Sequence, residues 1–226
     1  MKATDVHPTL RIIRDEHGVL SAVLRSIGLL LTESRRRGLP PDFNALRAML
    51  FYIDEFPEKV HHTKETALLF PMLRTRSIAL SAVLDRLDRD HADSHRAVLE
   101  LEHELLALEM MSDAPDANSR RIRFESTMQA YIASYMEHIR IEEIDVLPVA
   151  ERVLTTSDWA ELDAAFMRNR DPLTHREGDD VFRPLFKRIL MTLPAPLGLG
   201  SAMEAMRTSY STTGASGTTD IGTISK

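Results

Sequence analysis

The sequence predicts an all-α fold: an antiparallel up-down-up-down four-helix bundle with two short C-terminal helices and a flexible tail. Three observations predict it. Four long stretches carry apolar residues at helical spacing, strand signals are nearly absent, and the connections are short and made of turn residues. Short connections make successive helices antiparallel neighbours.

The first helix is expected from about Pro8 to Arg37, with Ile13, Leu20, Leu24, Ile27 and Leu31 on one stripe, stopped by Gly38-Leu39-Pro40-Pro41. Asp42 is a fitting N-cap for the second, whose stripe includes Leu46, Leu50, Ile53 and Leu68. Pro71 is expected to end or bend it, and Pro57 to kink it. The third runs from about Ser77 to Met111 with Leu80, Leu84, Leu87, Val98 and Leu105 inward. A turn at 112–116 leads to the fourth, which reaches about Leu154 with Met128, Tyr131, Tyr135 and Ile139 inside and a kink expected at Pro148. Two shorter helices are expected, one from an N-cap at Ser157 to about Asn169 and one from about Asp179 to Met191. The Ser/Thr/Gly-rich stretch from about Ser201 reads as a disordered tail. The expected organisation is therefore a bundle over 1–155, a helical extension over 156–200 and a tail over 201–226.

Composition narrows the function classes. The chain has 226 residues, 43% apolar and 27% charged, with a net charge of -6. That balance suits a soluble globular protein and argues against nucleic acid or an anionic membrane as partner. With no cysteine, disulfides, thiolate metal sites and iron–sulfur clusters are excluded. No apolar run approaches the roughly 18 residues that span a bilayer. The first ten residues carry no apolar signal core, so the cytoplasm is the expected location.

Histidine placement carries the functional signal. Each long helix puts one histidine on its inner stripe: His17, His61, His91 and His138. Three of these have a second ligand-type residue one turn on, in the pairs His61/Glu65, His91/His95 and His138/Glu142, and residues four apart share a helix face. At 1.5 Å rise per residue, His17 sits about 12 Å up the bundle, His61 and Glu65 at about 15 and 9 Å, His91 and His95 at about 19 and 25 Å, and His138 and Glu142 at about 19 and 13 Å. Seven candidate ligands from four helices thus fall in one layer.

A second pattern agrees. In 61–71 and again in 138–148, Glu follows His by four and Pro follows His by ten. Each half then offers one inward carboxylate, and two facing carboxylates suit bridges between two metals. A buried Glu needs a charge partner, a metal or a shifted pKa, so two of them beside five histidines call for cations. His62, about 100° round from His61, is expected to point off the apolar stripe, either supporting the ligands from behind or facing solvent. Glu58 and Glu143 are reserve ligands. His7, His103, His175 and Asp179 read as surface or loop residues.

Together, His17 in RDEHGVL, His61 and Glu65 in HHTKETALLFP, His91 in RDHADSH, and His138 and Glu142 in HIRIEEIDVLP resemble the hemerythrin family, in its HHE cation-binding branch, over about residues 8–155. The resemblance implies two iron ions in an oxo- or hydroxo-bridged centre. By that resemblance Glu65 and Glu142 bridge the irons, His91, His95 and His138 cap one, and His17 and His61 hold the other, which keeps an open position. The implied function is binding of O2 or NO for sensing, storage or stress response. Turnover of peroxide or NO by a di-iron enzyme, and iron handling, stand as alternatives.

Overall fold

A computed structural model describes residues 7–168 together with 171, 173, 189 and 191. Of the helix expected from about Asp179 to Met191, Ile189 and Met191 are described, both helical; the rest of it and the tail lie outside the described residues.

The described chain is a helical bundle, with no strand among those residues. Helix α1 (Pro8–Arg37) starts with Pro8 in its first turn, where a missing N–H costs nothing. It ends at Gly38, whose φ of 64° is the left-handed cap that glycine adopts without strain. Asp42 caps the next run, accepting from the Ala45 amide at 2.9 Å. That run, α2, is helical over 43–76. Helix α3 (Ser81–Met110) follows a short 3-10 turn (Ile78–Leu80). Run α4 is helical over 117–153, and α5 (Thr156–Phe166) begins at a capping box between Thr155 and Asp158 rather than at Ser157.

Of the two outcomes expected for Pro71, an end or a bend, the end does not occur, and Pro57 and Pro148 lie inside helices as expected. Neither Pro57 nor Pro71 ends α2, and Pro148 does not end α4. The backbone passes into π-turns instead, at Asp54–His61, Glu65–Leu69 and Glu142–Val146. The two shorter π-turns each begin at a Glu of the sequence repeat. The Phe70 amide bonds the Glu65 carbonyl and the Leu147 amide bonds the Glu142 carbonyl, each reaching five residues back. Pro71 and Pro148 follow directly and supply no amide, so the wider turn absorbs what a regular turn would leave strained.

Helix α3 packs against α2 and α4, and α1 against α2, α4 and α5. The inner stripes are buried as expected, apart from a half-buried Leu68. The core falls into two apolar clusters. One holds Val19 to Leu31, Leu46 to Ile53, Val98 to Leu108 and Phe124 to Ile139. The other holds Leu10 to Ile13, Leu69 to Leu73, Leu80 to Leu87 and Ile141 to Leu154, with Trp159, Leu162 and Phe166 of α5. Three long elements pass from one cluster to the other through a buried histidine, His17, His61 or His91, and α4 does so between Ile139 and Ile141, just past buried His138. The polar layer therefore lies between two dry walls.

Candidate metal centre

In that layer the structure brings together His17, His61, Glu65, His91, His138 and Glu142, all buried. Their donor atoms form two sets of four, each with all atoms within 4.8 Å of one another. One is His17, His61, Glu65 and Glu142; the other is Glu65, His91, His138 and Glu142. Both carboxylates belong to both sets. The His17 Nε2 lies 3.1 Å from Glu142 Oε2, the His61 Nε2 3.3 Å from Glu65 Oε1, and the His138 Nε2 3.3 Å from Glu142 Oε1. The His91 Nε2 is 3.7 Å from Glu65 Oε2 and 3.2 Å from His138 Nε2.

Each histidine points one nitrogen at this cluster and has its other nitrogen beside a polar partner. His61 Nδ1 meets Glu16 Oε2 at 2.7 Å, His17 Nδ1 meets Glu143 Oε1 at 3.1 Å, and His91 Nδ1 meets Thr66 Oγ1 at 2.8 Å. Asp90 Oδ2 lies 3.7 Å from His138 Nδ1. Such outer partners fix ring orientation and tautomer in metal-binding histidines. Glu143, a reserve ligand in the sequence, takes this supporting position. Glu16 is a partner that sequence reasoning missed, and its place directly before His17 was the available signal.

His95 departs from expectation, and His62 takes the inward of its two expected places. His95 is not brought into the layer: its side chain is 47% exposed and lies 3.7 Å from Asp54. One turn beyond His91, it has already rotated out of the bundle. His62 is 4% exposed and stacks on His91 with ring centres 3.9 Å apart. Its donor atoms group with those of His91 and His138 within 4.8 Å. The inner face of α2 is an arc, not a line: Asp54, Pro57, Glu58, His61, His62 and Glu65 are all buried, the i, i+3, i+4, i+7, i+8 pattern of a face about 100° wide. Glu58, the other reserve ligand, holds His62 rather than joining the cluster, with Oε2 3.1 Å from Nδ1. With Nδ1–H donated to Glu58, Nε2 accepts from the Tyr135 hydroxyl at 2.7 Å.

The charges are strained without a cation. Burial, then the nearby Glu142 charge, raises the Glu65 carboxyl above the ordinary range. Burial acts on Glu142 as well, but the cationic rings of His138 and His17 hold it well below. His138 is desolvated, yet Glu142 and Asp90 push it up to about 10. Burial and then the other histidine rings keep His62 and His91 low, hence neutral. Both oxygens of Glu65, both of Glu142, and His61 Nε2 are buried with no hydrogen bond. Five such atoms converging in one layer are costly in a closed protein and are what cations satisfy. Imidazole nitrogen with carboxylate oxygen suits iron, manganese or zinc.

No helix among the described residues is long and apolar enough to cross a membrane. Searches of curated proteins and of solved structures returned no match. The hemerythrin HHE cation binding domain matches residues 9–150, a span containing every residue of this cluster, and the chain belongs to that metal-binding family.

Proposed function

We propose that the cluster holds two iron ions bridged by Glu65 and Glu142, in an antiparallel up-down-up-down bundle whose metal-binding unit ends near residue 155, and that the centre binds O2 or NO. One observation carries the two-ion reading: the same two carboxylates complete both four-donor sets, and all four of their oxygens lack a hydrogen bond. The alternation of the long elements between the two apolar clusters supports the antiparallel order. Family membership supports iron.

In this reading His17 and His61 hold one ion, and His91 and His138 the other with His62 beside them. When bound, a pair of irons supplies the electrons that O2 or NO binding draws on. The chain's own part is positioning and exclusion. Glu16, Glu143, Thr66 and Asp90 orient the rings, and the two apolar clusters keep bulk water from the ends of the layer. A histidine-rich set, compared with a carboxylate-rich one, favours reversible binding over deep oxidation.

The test is metal content per chain with an optical spectrum of aerobically purified protein, wild type beside Glu65→Ala. Two irons per chain, with near-ultraviolet bands lost in the variant, are expected. Absence of metal after iron-supplemented expression would overturn the reading.

A further inference from the structure

The two sides of the cluster differ in access. On the His17–His61 side the space among Glu16, Leu20, Phe56, Val60 and Asp171 amounts to about 10 Å³. Phe166 of α5 stands edge-on to His61 at 6.4 Å and covers it further. On the other side, α3 and α4 part into an open cleft of about 270 Å³ whose inner end is His62, Tyr135 and His138. Small side chains make this room: Ser94 and Ala97 on α3 face Thr127, Ala130 and Ser134 on α4, where larger residues would close two helices together.

The size and chemistry of the cleft point to a class of ligand. Liquid water takes about 30 Å³ per molecule, so the space is far more than a diatomic gas needs and approaches the small end of organic-ligand pockets. Its wall carries the hydroxyls of Ser94, Thr127, Ser134, Tyr131 and Tyr135, with two tyrosine rings and two alanine methyls as apolar surface. Ser94 and Tyr131 donate to Glu58, Thr127 to the Arg123 carbonyl and Tyr135 to His62, which leaves their oxygens as acceptors for a ligand's hydroxyl. Its lining includes two carboxylates, Asp90 and Asp93, and no lysine or arginine, and the cationic His138 ring at its inner end is already paired with Glu142 and Asp90, so an anion meets repulsion and no unpaired positive charge there.

We propose that this cleft is a binding site for a small uncharged hydroxyl-bearing organic molecule of about the size of phenol, which reaches the centre on its His62–His138 side while the His17–His61 side stays closed. The proposal rests on the two-ion reading for its meaning, but its test does not need metal. The inner wall supplies both apolar and polar recognition: the Tyr131 and Tyr135 rings meet at 5.6 Å, and the Tyr131 oxygen is an acceptor, with Ser94 Oγ 3.3 Å away.

The experiment labels the metal-free full-length chain with diethyl pyrocarbonate, a small uncharged reagent for neutral imidazole, and maps the modified histidines by mass spectrometry. Exposed His103 serves as internal control. Ala130→Phe and, separately, Ser134→Phe should slow His62 at least tenfold and leave His103 unchanged. Both positions are exposed, so neither bulky side chain enters the core. Val60→Phe, on the closed side, should change nothing at His62. Phenol added to the wild type should protect His62 in a saturable way. Equal His62 rates in the wild type and both cleft variants, or no protection by phenol, would overturn the proposal. Loss of the metal reading would show in the metal content and leave these rates interpretable.

Discussion

Glu65 and Glu142 bring carboxylate oxygens within 4.8 Å of each other in the core, and none of the four oxygens makes a hydrogen bond. One carboxylate comes from α2 and the other from α4, each at the start of a π-turn. Two buried anions so close repel, and the positive rings nearby offset this only in part.

That relationship predicts opposite effects of one substitution. The folded chain raises the Glu65 pKa above 4.5, so its stabilising contribution, complete below that value, is lost as pH rises through the folded pKa. Without metal and above that folded pKa, Glu65→Gln should therefore stabilise the chain, by about 1–3 kcal/mol, the usual cost of a buried group lacking its partner. With iron present, the same variant should bind less metal and melt below the loaded wild type. Thermal melts with and without metal check this; a variant destabilised in both states would contradict it.

The placement of His95 and His62 gives a second prediction. His95→Ala should leave metal content unchanged, because the ring is half exposed beside Asp54. His62→Ala removes the ring stacked on His91 and the acceptor of the Tyr135 hydroxyl. It should weaken metal binding about 10–100-fold, the range for lost supporting groups around metal ligands. Competition with a chromophoric chelator measures both.

Much of this was legible in sequence because helical phase is rigid. Leu84, His91 and Val98 recur every seven residues, and a histidine in that register must face the core where the leucines do. The place of His62 stayed open between supporting and solvent-facing while the inner face was treated as a line through His61; treating it as an arc would have put it inside. Pro71 left two outcomes open for a different reason. Proline removes one donor, and the expected consequence was a helix end or a bend; a π-turn shifts the hydrogen bonds and lets the helix continue to Arg76. Contacts between residues far apart in the chain, such as the Asp171 amide bonding Glu16 Oε1 at 3.1 Å, leave no periodic trace.

Glu58 gives a pH prediction. Burial raises its carboxyl to about 7, against partial relief from the hydroxyls of Ser94 and Tyr131. A carboxyl whose folded pKa lies above 4.5 stabilises fully below that pH, and the contribution disappears as pH rises through about 7. The metal-free chain should lose stability between about pH 4.5 and 7 from this group, by up to about 3 kcal/mol at 1.36 kcal/mol per pH unit. Glu58→Gln should flatten that slope and be the more stable chain at pH 8. Urea denaturation at pH 4 and pH 8 measures the difference, and equal slopes in the two chains would refute it.

Helix α5 lies beyond the 9–150 match, yet it closes one side of the cluster. Phe166 is fully buried, stands edge-on to His61 and carries the Lys64 ammonium 5.3 Å from its ring centre. Phe166→Ala should cost about 3–5 kcal/mol, as for other buried aromatic truncations. It should also open the His17–His61 side, so that loaded protein gives up metal to a chelator faster. Leu162 separates the two effects, being equally buried in the same apolar cluster. Leu162→Ala should cost a comparable 2–5 kcal/mol. If α5 is a wall of the site, metal loss quickens much more in the Phe166 variant. If it is only a stabilising appendage, the two variants lose metal in proportion to their loss of stability.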